Sequence, residues 1–308
     1  KNNYNFEAWS IFFNKFSKLL ENNKPNIAIL LGDRIETLFA AIALHSFNIP
    51  IAHIGGGELT KGATDNAFRH SITKLSNLHF VSNNTYYKRV LQLGENKNNV
   101  FIVGDPAVEL IKKSKFKSKI QIENSLGFKL FKKNIIVTFH PETLDLNNNN
   151  KKFKILLDFL ENLKEYRIIF TFPNSDQNSV EIIKLLKIST KKNRNFIIFK
   201  EMGTLNYLST MKYCEFILGN SSSGLTEAPI LNIPSINYGS RQEGRIRFQT
   251  VIDCDTNIKS LKNSYKKIQN IKKNKIKIKG QDFSDRLSNI LTKKINKINI
   301  KKEFIDLK

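Results

Sequence analysis

From residue 25 the chain alternates short apolar runs with longer stretches of helical periodicity, and that alternation leaves few folds open. NIAILL (26–31), IPIAHI (49–54), LHFVS (78–82) and VFIVG (100–104) have the length and β-branched content of buried strands. Between them, RIETLFAAIALHSF (34–47), TDNAFRHSITKLS (64–76) and NTYYKRVLQLGE (84–95) repeat apolar residues at helical spacing. Strands separated by helices pair in parallel, because a parallel pair needs a crossover and a helix supplies it. A second series starts at NIIVTFH (134–140) and runs through RIIFTFP, FIIFK, EFILGN, PSINY and TVIDCD. Helices are expected at about 150–164, 178–189, 204–213 and from about 222 onward. The fold class is therefore α/β, with two doubly wound domains in tandem.

The first domain is placed at 1–114 and the second at 115–281, with the Lys-rich, weakly periodic residues 112–133 as the connection. The last helical segment, DFSDRLSNILTKKI (282–295) within 282–308, is expected to pack back on the first domain. Residues 1–25 read as an amphipathic helix with no strand before it, so the first domain is expected to lack an opening βα unit.

Composition narrows the function classes. The formal net charge is +23, which would suit a polyanion, but only nine of the 50 basic residues are Arg, and Lys is spread along the chain beside Asn and Ile. Nucleic-acid and phosphate recognition favours clustered, fork-shaped Arg, so the excess reads as a solvated Lys-rich surface and neither nucleic acid nor membrane is an expected partner. Cys214 and Cys254 stand in strand-like contexts without CxxC spacing, which speaks against a disulfide framework or structural zinc and suits a reducing cytoplasm. The histidines are dispersed and no HExxH occurs, so no metal is expected.

Ligands of open α/β sheets bind beyond the carboxyl ends of the strands, which makes the residues after each strand the ones to collect. In the first series these are Gly32-Asp33-Arg34, the Gly55–Glu58 turn leading to Asp65, Arg69 and His70, and Gly104-Asp105-Pro106. In the second they are His140-Pro141-Glu142, Pro173-Asn174-Ser175-Asp176 and Gly219–Gly224. The stretch AHIGGGELTKGATDNAFRH (52–70) is unusual, since adjacent glycines are costly to order and four close ionisable groups are costly to desolvate. It is not a dinucleotide fingerprint, because Thr60 stands where the third glycine would be. Plainer readings exist: Asp33 as a helix N-cap, Asp65 and Arg69 as a surface ion pair on one helix face with His70 about 100° away, His140 as a structural residue, and the serines of LGNSSSGLTEAP as an ordinary cap. Against the last stand Asn220, Gly224, Glu227 and the nearby GSRQEGRIR, which favour a nucleotide diphosphate over a helix N-terminus.

LGDRIE, IPIAHIGGGELTKGATDNAFRHSITKLSNLHF, VTFHPETL, GNSSSGLTEAP and INYGSRQEGRIR, in that order, resemble the hydrolysing UDP-N-acetylglucosamine 2-epimerases of the sialic-acid biosynthetic type. The resemblance runs from about residue 26 to about residue 255. It implies a glycosyltransferase-B-like architecture of two Rossmann-like domains facing a cleft, and a reaction that eliminates UDP across C1–C2 of UDP-N-acetylglucosamine and rehydrates the glycal to N-acetylmannosamine. It implies no cofactor, a UDP-sugar as the ligand, a cytoplasmic location and a homo-oligomer, dimer or tetramer. By the same resemblance Asp33, Glu58 and Asp65 would be the acid and base carboxylates, and Arg69 and His140 would orient substrate and stabilise the departing diphosphate. Ser221 and Ser222 would hold phosphate oxygens, Glu227 the ribose and Arg245 the diphosphate, with His70 and Asn174 as neighbours. Gly55 stands where many members carry Glu or His, and residues 1–25 lack the family's opening strand and Gly-Thr/Ser-Arg loop, so the chain is expected to be N-terminally incomplete.

Three other readings remain at this stage. The related epimerases of UDP-2,4-diacetamido-2,4,6-trideoxyglucose, on the legionaminic-acid branch, share the reacting carbons. A glycosyltransferase on the same fold would use the serine loop but abstract no C2 proton. A non-catalytic nucleotide-sugar or polyanion binder would release no UDP.

Overall fold

The computed structural model describes residues 6–176, 178–271 and 282–306. Of these, 6–60, 64–109 and 282–306 form one compact unit, and 61–63 with 110–271 form another.

The first unit opens with α1 (Phe6–Asn22) and proceeds through β1 (Ala28–Leu31), α2 (Ile35–Ser46), β2 (Ile51–Ile54), α3 (Asp65–Leu75), β3 (Leu78–Val81), α4 (Asn84–Gln92), β4 (Val100–Ile102) and α5 (Pro106–Lys113), whose last four residues fall in the other unit. Its strands pair in parallel in the order β1-β2-β3-β4. β2 and β3 are buried along their whole length, as expected of inner parallel strands covered on both faces. On one face α1 and α2 pack Phe13, Phe16 and Leu20 against Ala41, Leu44 and Ile51. On the other, the last helix returns to cover Ala52, Leu78 and Phe80 with Phe283, Leu287, Ile290 and Leu291.

The second unit continues with α6 (Lys119–Leu126), β5 (Lys133–Thr138), α7 (Asn149–Leu160), β6 (Tyr166–Thr171), α8 (Ser179–Lys192), β7 (Phe196–Phe199), α9 (Thr204–Met211), β8 (Phe216–Gly219), α10 (Glu227–Ile230), β9 (Ser235–Tyr238), β10 (Val251–Cys254) and α11 (Ile258–Ile268). The helix covering the first unit is α12 (Phe283–Lys294). The second sheet is parallel in the order β10-β9-β8-β5-β6-β7. The chain reverses direction across the sheet between β5 and β8, so the loops after these two strands open beside each other at the switch point where such sheets bind ligands.

Three local expectations give way to the structure. Residues 112–133 contain α6, closed by a Ser118–Gln121 capping box and by Gly127 in the left-handed conformation. Its Ile122, with Leu126, packs into a core shared with Ile136 and Met211. No helix runs on from residue 222: Ser222–Gly224 is a single 3-10 turn, and α10 begins only at Glu227. Pro229 explains the break, because its ring would collide with the carbonyl of Leu225 in a continuous helix, whereas it is tolerated within the first turn of α10. Asp33 is not the N-cap of α2, a position held by Arg34 without a side-chain hydrogen bond.

Among the described residues no helix is long and apolar enough to cross a membrane, and no group of three or more His, Cys, Asp or Glu is arranged to hold a metal ion.

Candidate functional site

In the first unit the strand-end residues gather around one buried guanidinium. Asp33 follows β1, Glu58 and Thr60 follow β2, and Arg69 projects from α3, only 1% exposed. Arg69 Nη2 pairs with the Asp33 carboxylate and donates to Thr60 Oγ1 at 2.9 Å, while Nη1 donates to the carbonyl of Glu58 at 2.9 Å. The plainer reading of Asp65 and Arg69 as a surface pair is thereby corrected: Arg69 is interior, and Asp65, at the first residue of α3, lies 4.0 Å from Arg34 Nη1. A buried cation in contact with one anion and two neutral oxygens leaves no uncompensated buried charge.

The glycine run shapes this cluster. Gly57 has φ +78°, and a Cβ there would strike the carbonyl of Tyr86, so only glycine lets the chain turn this closely over α4 before Glu58. His70 is half-buried, and its imidazole is pushed below its ordinary range by burial first and by Arg69 and Arg89 second. Its Nδ1 is buried and has no hydrogen-bond partner among the described residues.

In the second unit a cavity of about 400 Å³ lies beyond the strand ends, within the size range of small-molecule sites. Its walls include His140, Asn174, Ser221, Ser222, Ser223, Glu227 and Tyr207. His140 is held by Asn220, which is fully buried: the Asn220 side chain accepts from the His140 backbone N–H at 2.7 Å and donates to its carbonyl at 2.8 Å. The backbone N–H of Asn174 donates to His140 Nδ1 at 3.0 Å. Because Nδ1 accepts there, the neutral ring carries its proton on Nε2, a donor suited to an anion. The Ser221 side chain accepts from the backbone N–H of Ser223, and Ser223 Oγ donates to Ser221 Oγ at 3.2 Å. Tyr207 completes the row with its hydroxyl 2.7 Å from Ser223 Oγ. The Glu227 carboxylate accepts from the hydroxyl of Thr226.

Five of the site residues expected in this unit, His140, Asn174, Ser221, Ser222 and Glu227, thus line one cavity. Arg245 is not among its walls; it belongs to the 239–247 turn, which Glu142 anchors by accepting from Ser240 N–H and Oγ, each at 3.2 Å. Tyr207 lies outside the strand-end motifs of the sequence, and only the fold brings its hydroxyl from α9 to Ser223.

The sequence matches the UDP-N-acetylglucosamine 2-epimerase family over residues 6–289. The chain belongs to that family. It is 43% identical over 252 residues to a GDP/UDP-N,N'-diacetylbacillosamine 2-epimerase (hydrolyzing) of Campylobacter jejuni, a match covering 82% of this chain and 66% of that protein. To the polysialic acid biosynthesis protein P7 of Escherichia coli it is 38% identical over 247 residues, covering 80% of this chain and 63% of that one. The chain therefore spans just under two thirds of the length of these curated relatives. Among solved structures, the UDP-GlcNAc 2-epimerase of Methanocaldococcus jannaschii in complex with UDP-GlcNAc and UDP superposes with a TM-score of 0.78 at 20% identity, over 93% of this chain and 81% of that one. That likeness establishes the glycosyltransferase-B-like fold of the family as the fold of this chain.

Proposed function

We propose that this protein is a hydrolysing nucleotide-sugar 2-epimerase acting on a UDP-linked 2-acetamido sugar. The observation that carries the reading is the buried Arg69 guanidinium, which pairs with Asp33 after β1 and donates to the Glu58 carbonyl after β2, in a chain of the 2-epimerase family. In the reaction a carboxylate takes the proton from C2, the C1–O bond to the diphosphate breaks, and UDP leaves with the bonding pair. Water then adds its oxygen to C1 of the glycal, and a proton returns to C2 on the opposite face. One water is consumed, and the products are UDP and the 2-epimeric sugar. Asp33, Glu58 and Asp65 are the groups for the proton transfers. Ser221, Ser222 and the Nε2–H of His140 would receive the diphosphate, Glu227 the ribose diol, and Arg245 further diphosphate charge, with Arg69, His70 and Asn174 placing their neighbours.

For the sugar, the motifs point to UDP-N-acetylglucosamine, giving N-acetylmannosamine for sialic-acid-type synthesis. The 43% identity to the Campylobacter jejuni enzyme, whose name specifies N,N'-diacetylbacillosamine, favours UDP-2,4-diacetamido-2,4,6-trideoxyglucose instead. Both share the C1–C2 unit and differ at C4 and C6, so the same acids serve either. A cytoplasmic homo-oligomer belongs to the same proposal. Side-by-side UDP release from the two sugars tests it: faster release from the diacetamido sugar is expected, faster release from UDP-N-acetylglucosamine reverses the choice, and release from neither removes the functional reading.

A further inference from the structure

His53 lies at the centre of β2, fully buried, two residues before the glycine run. Its Nε2 is 2.9 Å from the carbonyl of Gly32, in the turn that presents Asp33, and its Nδ1 is 3.1 Å from Thr73 Oγ1 on α3, the helix of Asp65 and Arg69. A carbonyl only accepts, so Nε2 must carry the proton. In the neutral ring Nδ1 is then an acceptor, and the Thr73 hydroxyl, which also lies 3.0 Å from the carbonyl of Arg69, turns its proton to the imidazole. Gly56 closes the arrangement from above: a Cβ there would stand 3.0 Å from Thr73 Oγ1 and 3.4 Å from His53 Nδ1.

We propose that His53 is a positioning residue for the Asp33–Arg69 pair, donating from Nε2 to Gly32 and accepting at Nδ1 from Thr73 so that the Asp33 turn and α3 are held at a fixed separation. One imidazole thereby links the segments that supply Asp33 on one side and Asp65 with Arg69 on the other. The Arg69–Asp33 pair joins the same two segments by their side chains, so the imidazole sets by its backbone contact what the guanidinium then bridges. This inference rests on the proposed epimerase activity for its kinetic consequence, but its structural content is independent of the sugar.

The test compares His53→Gln with His53→Asn in the full protein, measuring kcat, KM and Tm with the better of the two UDP-sugars. Gln reaches the position of Nε2 and restores an N–H for Gly32, whereas Asn ends at the position of Nδ1 and faces only Thr73. The Asn variant is expected to lose on the order of a hundredfold in kcat, as misplacement of reacting groups by about 1 Å does, with KM within about threefold. The Gln variant recovers about tenfold or more of that loss at a similar Tm. Equal losses in both variants, or losses that follow Tm alone, overturn the proposal. The imidazole ¹⁵N shifts of the unaltered protein decide the tautomer separately: an Nε2–H ring is expected, and an Nδ1–H ring overturns the proposal even if both variants are slow. Failure of the unaltered protein to release UDP would sink the functional reading instead, and the ¹⁵N result would still settle whether His53 holds Gly32.

Discussion

Arg69 gives its guanidinium to Asp33, 36 residues away in sequence, while Asp65, one turn earlier on the same helix, faces Arg34. The ion pair therefore ties a strand-end turn to α3. A carboxylate neutralised by a buried cation keeps a fixed position, which a group acting on a sugar carbon requires.

Replacing Asp33 by Asn leaves that guanidinium buried beside a neutral partner. The variant is expected to lose about 2 kcal/mol of unfolding free energy, below the usual cost for a fully buried pair because the Asp33 side chain is 22% exposed. Urea denaturation checks it, and an unchanged midpoint with an unchanged slope would contradict the arrangement.

The pH dependence of stability follows from His53. Burial is the main cause that lowers its imidazole from 6.5 to about 4, with Arg69 and His79 lowering it further and Gly32 and Asp33 opposing. The unfolded chain thus binds a proton below about pH 6.5 that the folded one refuses. The stability from the neutral ring is fully present above pH 6.5 and is lost as the pH falls toward 4, by about 3 kcal/mol in total. Unfolding free energies at pH 7 and pH 4.5 should differ less in His53→Gln than in the unaltered protein. An identical difference in the two would refute this origin.

The hydroxyl row of Tyr207, Ser223 and Ser221 predicts an effect on nucleotide binding. Tyr207→Phe removes the hydroxyl at one end and leaves Ser223 free to rotate away from Ser221. UDP affinity measured by calorimetry should fall by about five- to tenfold, the value of one hydrogen bond of about 1 kcal/mol. Equal affinity would mean that the row does not present the serines to phosphate.

The C-terminal segment holds the far end of α3. Lys302 Nζ donates to the carbonyls of Lys74 and Ser76 at 2.7 and 2.6 Å and to Glu95, just as cations stabilise a helix C-terminus. Burial pushes the Glu95 carboxyl up, yet hydrogen bonds from His79, Lys302 and Lys74 outweigh it and hold it at about 2. Lys302→Met should cost about 2 kcal/mol and speed amide exchange in the last turn of α3. Unaltered exchange there would show that the lysine is not a cap.

Much of this was legible in the sequence, and the reasons are local. The βα alternation is written in apolar periods, so the strands were placed within a residue or two, and the strand-end rule picked out Asp33, Glu58, His140 and the serine loop. What stayed hidden depends on distance through space. Arg69 and Asp65 share a helical spacing, and nothing local says that Arg69 points inward to a residue on another strand. The imidazole of His53 sits in an apolar strand run and looks like any half-buried residue until the Gly32 carbonyl and Thr73 are seen on either side. Pro229 was readable as a break at the serine loop, and its consequence for a helix from 222 follows from its ring alone.

The most direct test is the isotope content of the released sugar. The protein is incubated in deuterium oxide with UDP-2,4-diacetamido-2,4,6-trideoxyglucose or UDP-N-acetylglucosamine, and the sugar is analysed at C2. The account predicts UDP release with one deuterium at C2 of the inverted sugar, and loss of both in Asp65→Asn. UDP release with hydrogen retained at C2 would contradict it.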